Sequence, residues 1–312
     1  MSDYYSLHVL SDDPLVGVAC SGAPLTPAAH KLLELANGAV AHLWIRPNWH
    51  GPAIAKDLAA FVREVGRATP NLQAMVMAAT YEDRALFHRL GVDAIWCNPN
   101  ALIDERAYAP DLDAEKRYDA VNVGRLVPFK RHELAAKVPR LALVTHGFEV
   151  EATYAEDCLS TLEGLSFVNY EPGREVQPLK PDAVRALLVQ SRCGLALSAV
   201  EGAMYASTEY LLCGLPVVTT PSQGGRHVFF HPDYVETVEP TADAVARGVA
   251  RIIAKAADPL AIRRRTLQLM RPHRARLIGR LSAVVEQDLM AQASETLWLP
   301  SFVDKLEHWV AD

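Results

Sequence analysis

A dominant charge sign is the first thing this 312-residue chain lacks. Its 31 lysines and arginines face 37 aspartates and glutamates, a net charge of −6. No global field therefore draws it to nucleic acid. Cysteine is scarce, odd in number and scattered, at Cys20, Cys97, Cys158, Cys193 and Cys213. That excludes a disulfide framework and predicts reduced thiols. No apolar run approaches the about 18 residues that a membrane span needs, and no charged-then-apolar leader opens the chain. These absences together predict a cytoplasmic protein. Neither half opens with G-x-G-x-x-G, which argues against a nicotinamide dehydrogenase. There is no short internal repeat and no low-complexity tract. What is present is half apolar and 22% charged, a globular composition long enough for two domains.

Strand-like runs alternate with amphipathic helix-like runs, which predicts βαβ units and mostly parallel sheets. In the first part strands are expected at Leu7–Leu10, Val16–Ala19, Ala39–Ile45, Leu72–Met77 and Ala94–Trp96. Helices are expected at Pro27–Ala36, Ala53–Gly66 and Tyr81–Leu90, the last stopped by Gly91. A polar, proline-containing stretch from Asn98 to Arg117 places a domain boundary near residue 113. Beyond it strands are expected at Ala120–Val123, Leu141–Thr145, Leu165–Asn169, Gly194–Leu197, Pro216–Thr219 and Val235–Val238. Helices should begin near Arg131, Val150, Pro181, Gly202 and Thr241, and from Pro259 onward the chain reads as helical.

Three segments carry chemistry. Gly124-Arg125 and Lys130 close an expected strand and precede an expected helix, so two cations and backbone N–H groups face any anion there. The stretch Glu201-Gly-Ala-Met-Tyr-Ala-Ser-Thr-Glu209 holds two acids eight positions apart. On one helix they would stand ~12 Å apart along the axis. That is too far for the paired carboxylates of glycoside hydrolysis, which lie roughly 5–10 Å apart, but it suits gripping two ends of one elongated ligand. The small residues Gly202 and Ala203 would let a phosphate approach the helix start. The third segment, Gly224-Gly225, either borders a ligand at a strand's carboxyl end or forms a turn that needs positive φ.

Together, Gly124-Arg125-Leu126 with Lys130, Ser198 to Glu209, Cys213-Gly-Leu-Pro-Val-Val218 and Gly224-Gly225 resemble the group 1 retaining glycosyltransferases of the GT-B fold, which carry a Glu-x7-Glu motif. The likeness spans roughly residues 118 to 256 and extends faintly to Gly91–Tyr108. It implies an α/β chain of two Rossmann-like domains with mostly parallel sheets and a shortened N-terminal domain. The divisions expected are 1–112 (acceptor side), 113–290 (nucleotide-sugar side) and a C-terminal helix at 291–312 crossing back to the first domain.

By this resemblance, Arg125 and Lys130 bind and stabilise the leaving diphosphate, and Glu201 lies beside the donor sugar. Gly124, Tyr170, Gly202, Ala203, Met204 and Glu209 bind the rest of the donor: Glu209 holds the ribose, backbone at Gly202 and Ala203 touches the phosphates, and the Tyr170–Gly173 loop neighbours the nucleobase. The implied activity transfers a sugar from a nucleotide-sugar donor to a glycan, lipid-linked or small-molecule acceptor. It retains anomeric configuration and needs no metal or cofactor. The family usually has Gly-Phe-Gly after its first glutamate; this chain has Gly202-Ala203-Met204.

In the first part, Trp49 and His50 follow a strand, with Trp49 suited to stacking on a sugar face; His50 resembles the family's histidine near the donor sugar or acceptor. The loop at Ser21-Gly22 also borders this acceptor side. The bland alternative is a buried Trp with a hydrogen-bonded loop His. His227 and His231 lack evident metal-ligand partners. The arginine run from Arg263 to Arg280 reads as a solvated helix face, with weak peripheral membrane contact as the alternative. Trp298, Phe302, Leu306 and Trp309 follow helical spacing and are expected in the core. Rival functions are a non-catalytic sugar-nucleotide or glycan-binding protein and, on a similar two-domain scaffold, a nucleotide-sugar epimerase or phosphorylase.

Overall fold

In a computed structural model, residues 4–22, 25–145, 152–162, 164–171, 174–302 and 306–310 are described. The chain divides into two compact units: Met1–Leu102 with Gln268–Asp312, and Ile103–Leu267. The first boundary thus falls at 102/103, earlier than residue 113, and the second falls inside a long helix rather than near residue 290.

Unit 1 opens with β1 (Tyr4–Asp12), β2 (Leu15–Cys20), α1 (Leu25–Ala36), β3 (Ala41–Arg46), α2 (Pro52–Ala68), β4 (Leu72–Ala78), α3 (Tyr81–Arg89) and β5 (Ala94–Trp96). Unit 2 holds β6 (Ala120–Val123), β7 (Leu141–Val144), α4 (Ala152–Thr161), β8 (Leu165–Phe167), α5 (Pro181–Val189), β9 (Gly194–Ala196), β10 (Val200–Glu201), α6 (Tyr205–Leu212), β11 (Val217–Thr219), β12 (Gln223–Gly224), β13 (Val235–Thr237) and α7 (Ala242–Ala254). Helix α8 (Pro259–Val285) continues through Pro272 into the second segment of unit 1, which ends in β14 (Leu306–Val310). Each strand expected from the sequence is present, with ends shifted by at most three residues.

The sheet of unit 1 has the order β14-β1-β2-β3-β4-β5. Strands β2 to β5 are parallel, and β1 is antiparallel to both neighbours. Both faces are covered, so the strands read as near-continuous apolar runs. Alternate residues go to opposite faces: Leu43, Ile45, Val76 and Ala78 pack with Ala29, Leu32, Leu58 and Phe87, whereas Trp44, Met75 and Met77 pack with Leu277, Ile278, Leu281, Trp298 and Phe302. Helix α3 shows why a helix starts and stops where it does. The Thr80 hydroxyl accepts from the Asp83 N–H, Glu82 and Asp83 fill the first turn, and Gly91 follows at φ 74°. A cap of this kind contributes about 1 kcal/mol.

Unit 2 carries a parallel sheet of order β13-β11-β9-β6-β7-β8 and a separate parallel pair, β10-β12. Its core includes Leu126, Leu143, Leu195, Val218 and Val245. Gly194 admits the ring of Tyr210 from α6: a Cβ there would stand 2.2 Å from Tyr210 Cδ2. Tyr210, fully buried, accepts the Val123 N–H through its hydroxyl at 2.7 Å and so ties α6 to β6.

Two expectations need correction. The segment after Arg131 is no α-helix. Two short 3-10 turns, Pro128–Lys130 and His132–Ala135, meet at Arg131, whose left-handed φ of 58° interrupts any continuous helix. The C-terminal segment is not a helix either. It consists of 3-10 turns at Leu289–Gln292 and Pro300–Phe302, then β14 paired antiparallel with β1. Trp298 and Phe302 are nonetheless core residues, edge-to-face with centroids 5.6 Å apart. The expected helix start at Val150 lies outside the described residues.

Candidate functional site

The strand order of unit 2 reverses beside β6. From β6 the chain runs outward through β7 and β8, then returns to the other side as β9, β11 and β13. Loops leaving the carboxyl ends of β6 and β9 diverge there, and such a switch point is where open α/β sheets bind ligands. Gly124, Arg125 and Lys130 follow β6, and Ser198 to Glu201 follow β9.

The folding that places these side chains is local. Pro128 starts a tight turn, and Arg131 reverses the chain behind Lys130. Lys130 Nζ donates to Oε1 of Glu201, and the Ser198 hydroxyl donates to the same oxygen at 2.8 Å. The two side chains of the ion pair are only 11% and 8% exposed, so removing either partner alone would strand a buried charge, at about 3–5 kcal/mol. Among the described residues Oε2 of Glu201 takes no hydrogen bond. Arg125 and Lys130 flank the Phe129 ring, 5.6 and 5.1 Å from its centroid. Half-buried Arg125 forms no side-chain hydrogen bond or ion pair with another described residue. It is a fixed cation available to an anion.

Burial pushes the Glu209 carboxyl up to about 7, and a hydrogen bond from the Tyr108 hydroxyl opposes that rise. Tyr108 is itself held through its carbonyl, which accepts from the Arg263 guanidinium. Near Lys130, burial pushes the His132 imidazole down to about 3, with the Lys130 charge adding to the effect, so this ring stays neutral.

The helix expected at Gly202 begins only at Tyr205. Glu201 lies on β10 and Glu209 on α6, so the two acids share no helix and the ~12 Å axial spacing does not apply. Gly202 and Ala203 form the loop between them, and the Gly202 carbonyl accepts from the Gly225 N–H. Met204, where the family pattern has glycine, sits at φ 49°. The backbone keeps the left-handed turn that glycine favours and carries a side chain there at a cost of roughly 1–2 kcal/mol. Gly224, at φ 99°, supplies a turn that pairs β12 with β10.

Several other candidates are accounted for by packing. Tyr170 is buried, its ring near-perpendicular to that of Phe167 with centroids 5.5 Å apart; Pro172 and Gly173 of the same loop lie outside the described residues. Arg263 and Arg274 donate to backbone carbonyls, Arg276 covers Trp96 at 4.5 Å, and Arg280 pairs with Asp93. Met270, Leu277, Ile278 and Leu281 of the same helix are buried together with Arg274, while Arg264, Arg265, Arg271, Arg276 and Arg280 are exposed, so α8 packs one face into the core and turns most of its arginines to solvent. Among the described residues no group of three or more His, Cys, Asp or Glu side chains is arranged to hold a metal, and no helix is long and apolar enough to cross a membrane.

Unit 1 gathers its own candidates at the carboxyl ends of β2, β3 and β4. The Ser21 hydroxyl accepts the Asn48 N–H at 2.9 Å, and a Cβ on Gly22 would meet Asn48 Nδ2 at 2.6 Å. Gly22 thus brings its loop against the one carrying Trp49 and His50. His50 Nδ1 lies 2.9 Å from the carboxylate of buried Asp83, which also accepts from the Thr80 hydroxyl at 2.9 Å. An imidazole anchored at Nδ1 by a carboxylate keeps Nε2 for chemistry. Sequence reasoning missed Asp83, since a first-turn acid looks like any other. It also missed Arg226, which the structure buries against Ser198, Thr219 and Thr220; its only signal was a base directly after Gly224-Gly225.

No family model matches the chain, and no curated protein matches it. Solved structures do. TarM is similar at 14% identity and TM-score 0.60, over 86% of this chain and 54% of TarM, so the chain spans about half of TarM's length. HepE from Anabaena, in complex with UDP, is similar at 14% identity and TM-score 0.57, over 88% of this chain and 78% of HepE. Sucrose-phosphate synthase from Thermosynechococcus elongatus is similar at 16% identity and TM-score 0.53, over 83% of this chain and 69% of the synthase. A mutant of TarM from S. aureus, TM-score 0.53, is in complex with fondaparinux, alpha-GlcNAc-glycerol and UDP. These likenesses show the fold, mixed α/β with mostly parallel sheets of the GT-B type.

Proposed function

We propose that this GT-B chain is a glycosyltransferase that moves a sugar from a nucleotide-sugar donor to a glycan, lipid-linked or small-molecule acceptor. The observation that carries the reading is the switch point of unit 2, where Arg125, which has no ion-pair partner among the described residues, and the buried Lys130–Glu201 pair both follow the sheet's carboxyl ends. Cleaving a sugar–phosphate bond builds negative charge on the leaving diphosphate. Cations fixed in a dry crevice stabilise that charge without reorganising. Without donor, Lys130 and Glu201 satisfy each other. A bound diphosphate draws the Lys130 ammonium, while a sugar hydroxyl donates to Glu201. Glu209 accepts from the ribose, and Gly124, Gly202, Ala203 and Met204 line the phosphates and sugar with backbone.

In this proposal the acceptor attacks the face the phosphate leaves, and a phosphate oxygen takes the acceptor's proton. Configuration is then retained, with no protein nucleophile and no metal. Unit 1 supplies acceptor-side groups, Gly22, Trp49 and His50. The structures of HepE and a TarM mutant with UDP make UDP-sugars the first donors to try.

A thermal-shift panel of UDP-, GDP-, ADP- and dTDP-sugars tests the reading. A ligand at a hundredfold its Kd stabilises by about 2.7 kcal/mol, so one nucleotide should raise the Tm clearly. That rise should shrink in Arg125→Ala and Lys130→Ala. No shift with any nucleotide sugar would sink the proposal. Two rivals separate by turnover: an epimerase converts the donor without acceptor, and a binding protein, favoured by Ala203-Met204 in place of Phe-Gly, holds it without converting it.

A further inference from the structure

Arg226 is 1% exposed, yet among the described residues it forms no ion pair. One end of its guanidinium donates to the Ser198 carbonyl and, at 2.8 Å, to the Ser198 hydroxyl. The other end donates to the Thr219 hydroxyl at 2.9 Å and the Thr220 carbonyl at 2.6 Å; Nε has no partner. Burial lowers this guanidinium to about 10, and the charge of Glu201 works against that fall, so Arg226 stays cationic at neutral pH. Burying an unpaired cation is costly. Fixing the ends of β9 and β11 would need only a neutral donor.

The polarity of the chain of hydrogen bonds explains what a cation adds. Guanidinium is a donor only and a hydroxyl has a single proton. The Ser198 oxygen therefore has to accept from Arg226, and its proton has one direction left, to Oε1 of Glu201 at 2.8 Å. Each link polarises the next. Lys130 donates to the same oxygen. When a bound diphosphate draws Lys130 away, the Ser198 hydroxyl still holds Oε1, and Oε2 is left to an incoming group.

We propose that Arg226 is a positioning residue for Glu201, acting through Ser198, and that it reserves Oε2 of Glu201 for a hydroxyl of the donor sugar. The inference rests on the nucleotide-sugar reading above. It extends the donor site to a side chain that touches no ligand.

Calorimetric titration separates the two ideas, using UDP with UDP-glucose, ADP with ADP-glucose and GDP with GDP-mannose. Whichever nucleotide the wild type binds provides the working pair. In Ser198→Ala and Arg226→Lys the nucleoside diphosphate should bind within about twofold of wild type, while the nucleotide sugar should weaken about tenfold, the size of one charge-assisted hydrogen bond. Ser198→Thr keeps the hydroxyl and should restore the sugar-dependent part. A merely structural role would weaken both ligands of the pair alike, and that result would overturn the inference, as would variants that leave both unchanged. A wild type that binds none of the three diphosphates would overturn the donor-site reading itself, and this inference with it.

Discussion

Replacing Glu209 with glutamine should stabilise the protein at pH 8 and change it little at pH 5. Burial raises this carboxyl from its ordinary 4.5 to about 7 in the folded chain. Between those values the folded state holds a proton that the unfolded state has released. Stability is therefore full below pH 4.5 and falls as pH rises through 7. At about 1.36 kcal/mol per pH unit the whole loss is about 3 kcal/mol. Partial exposure of the side chain reduces it to about 1–2 kcal/mol. Glutamine has no proton to lose and still accepts from Tyr108. Urea denaturation of wild type and Glu209→Gln at both pH values reads the effect: the gain at pH 8 should exceed that at pH 5 by about 1–2 kcal/mol. Equal shifts at both pH values would mean that the carboxyl titrates normally, and the reasoning would fail. The same variant should bind UDP about tenfold more weakly at pH 8, since an ionised acceptor makes the stronger bond to a ribose hydroxyl. A carboxylate kept at a cost to stability is the pattern functional groups show.

Other substitutions test the scaffold. Gly194→Ala should cost about 2–3 kcal/mol in chemical denaturation, because the new Cβ collides with the buried Tyr210 ring and strains its bond to Val123; a variant as stable as wild type would show that α6 can shift. Thr80→Ala removes the α3 cap and should lose about 1 kcal/mol, a Tm drop of roughly 2–4 °C. Met204→Val, β-branched at positive φ, should lower stability by about 1–2 kcal/mol, while Met204→Gly should not. Equal effects of the two on Tm would refute the left-handed strain at this position.

The parts of the fold legible in the sequence are those whose causes are local. Strands such as Ala120–Val123 announce themselves as short apolar runs because they are buried on both sides. Thr80 and Thr241 mark helix starts because a hydroxyl two or three residues ahead satisfies an open N–H. Arg125, Lys130 and Glu201 stood out because a cation pair and an acid each closed a strand. Strands β10, β12 and β14 did not. The first two are two-residue pairings set by a neighbouring loop, and the helical spacing of Trp298 and Phe302 masked a segment whose strand is decided by pairing with β1.

By itself, then, the sequence determined the α/β alternation, the cap-and-stop chemistry of the helices and which residue types stand at the ends of β6 and β9. Only tertiary structure decided that the two glutamates share no helix, that Met204 holds a left-handed turn, that Asp83 grips His50 and that Arg226 lies buried against Ser198, 28 residues away in the chain. Periodicity and capping act over a few bonds and can be read in order. Hydrogen-bond polarity and burial depend on which loops the sheet brings side by side, and that is fixed only when β9 returns to the far side of β6.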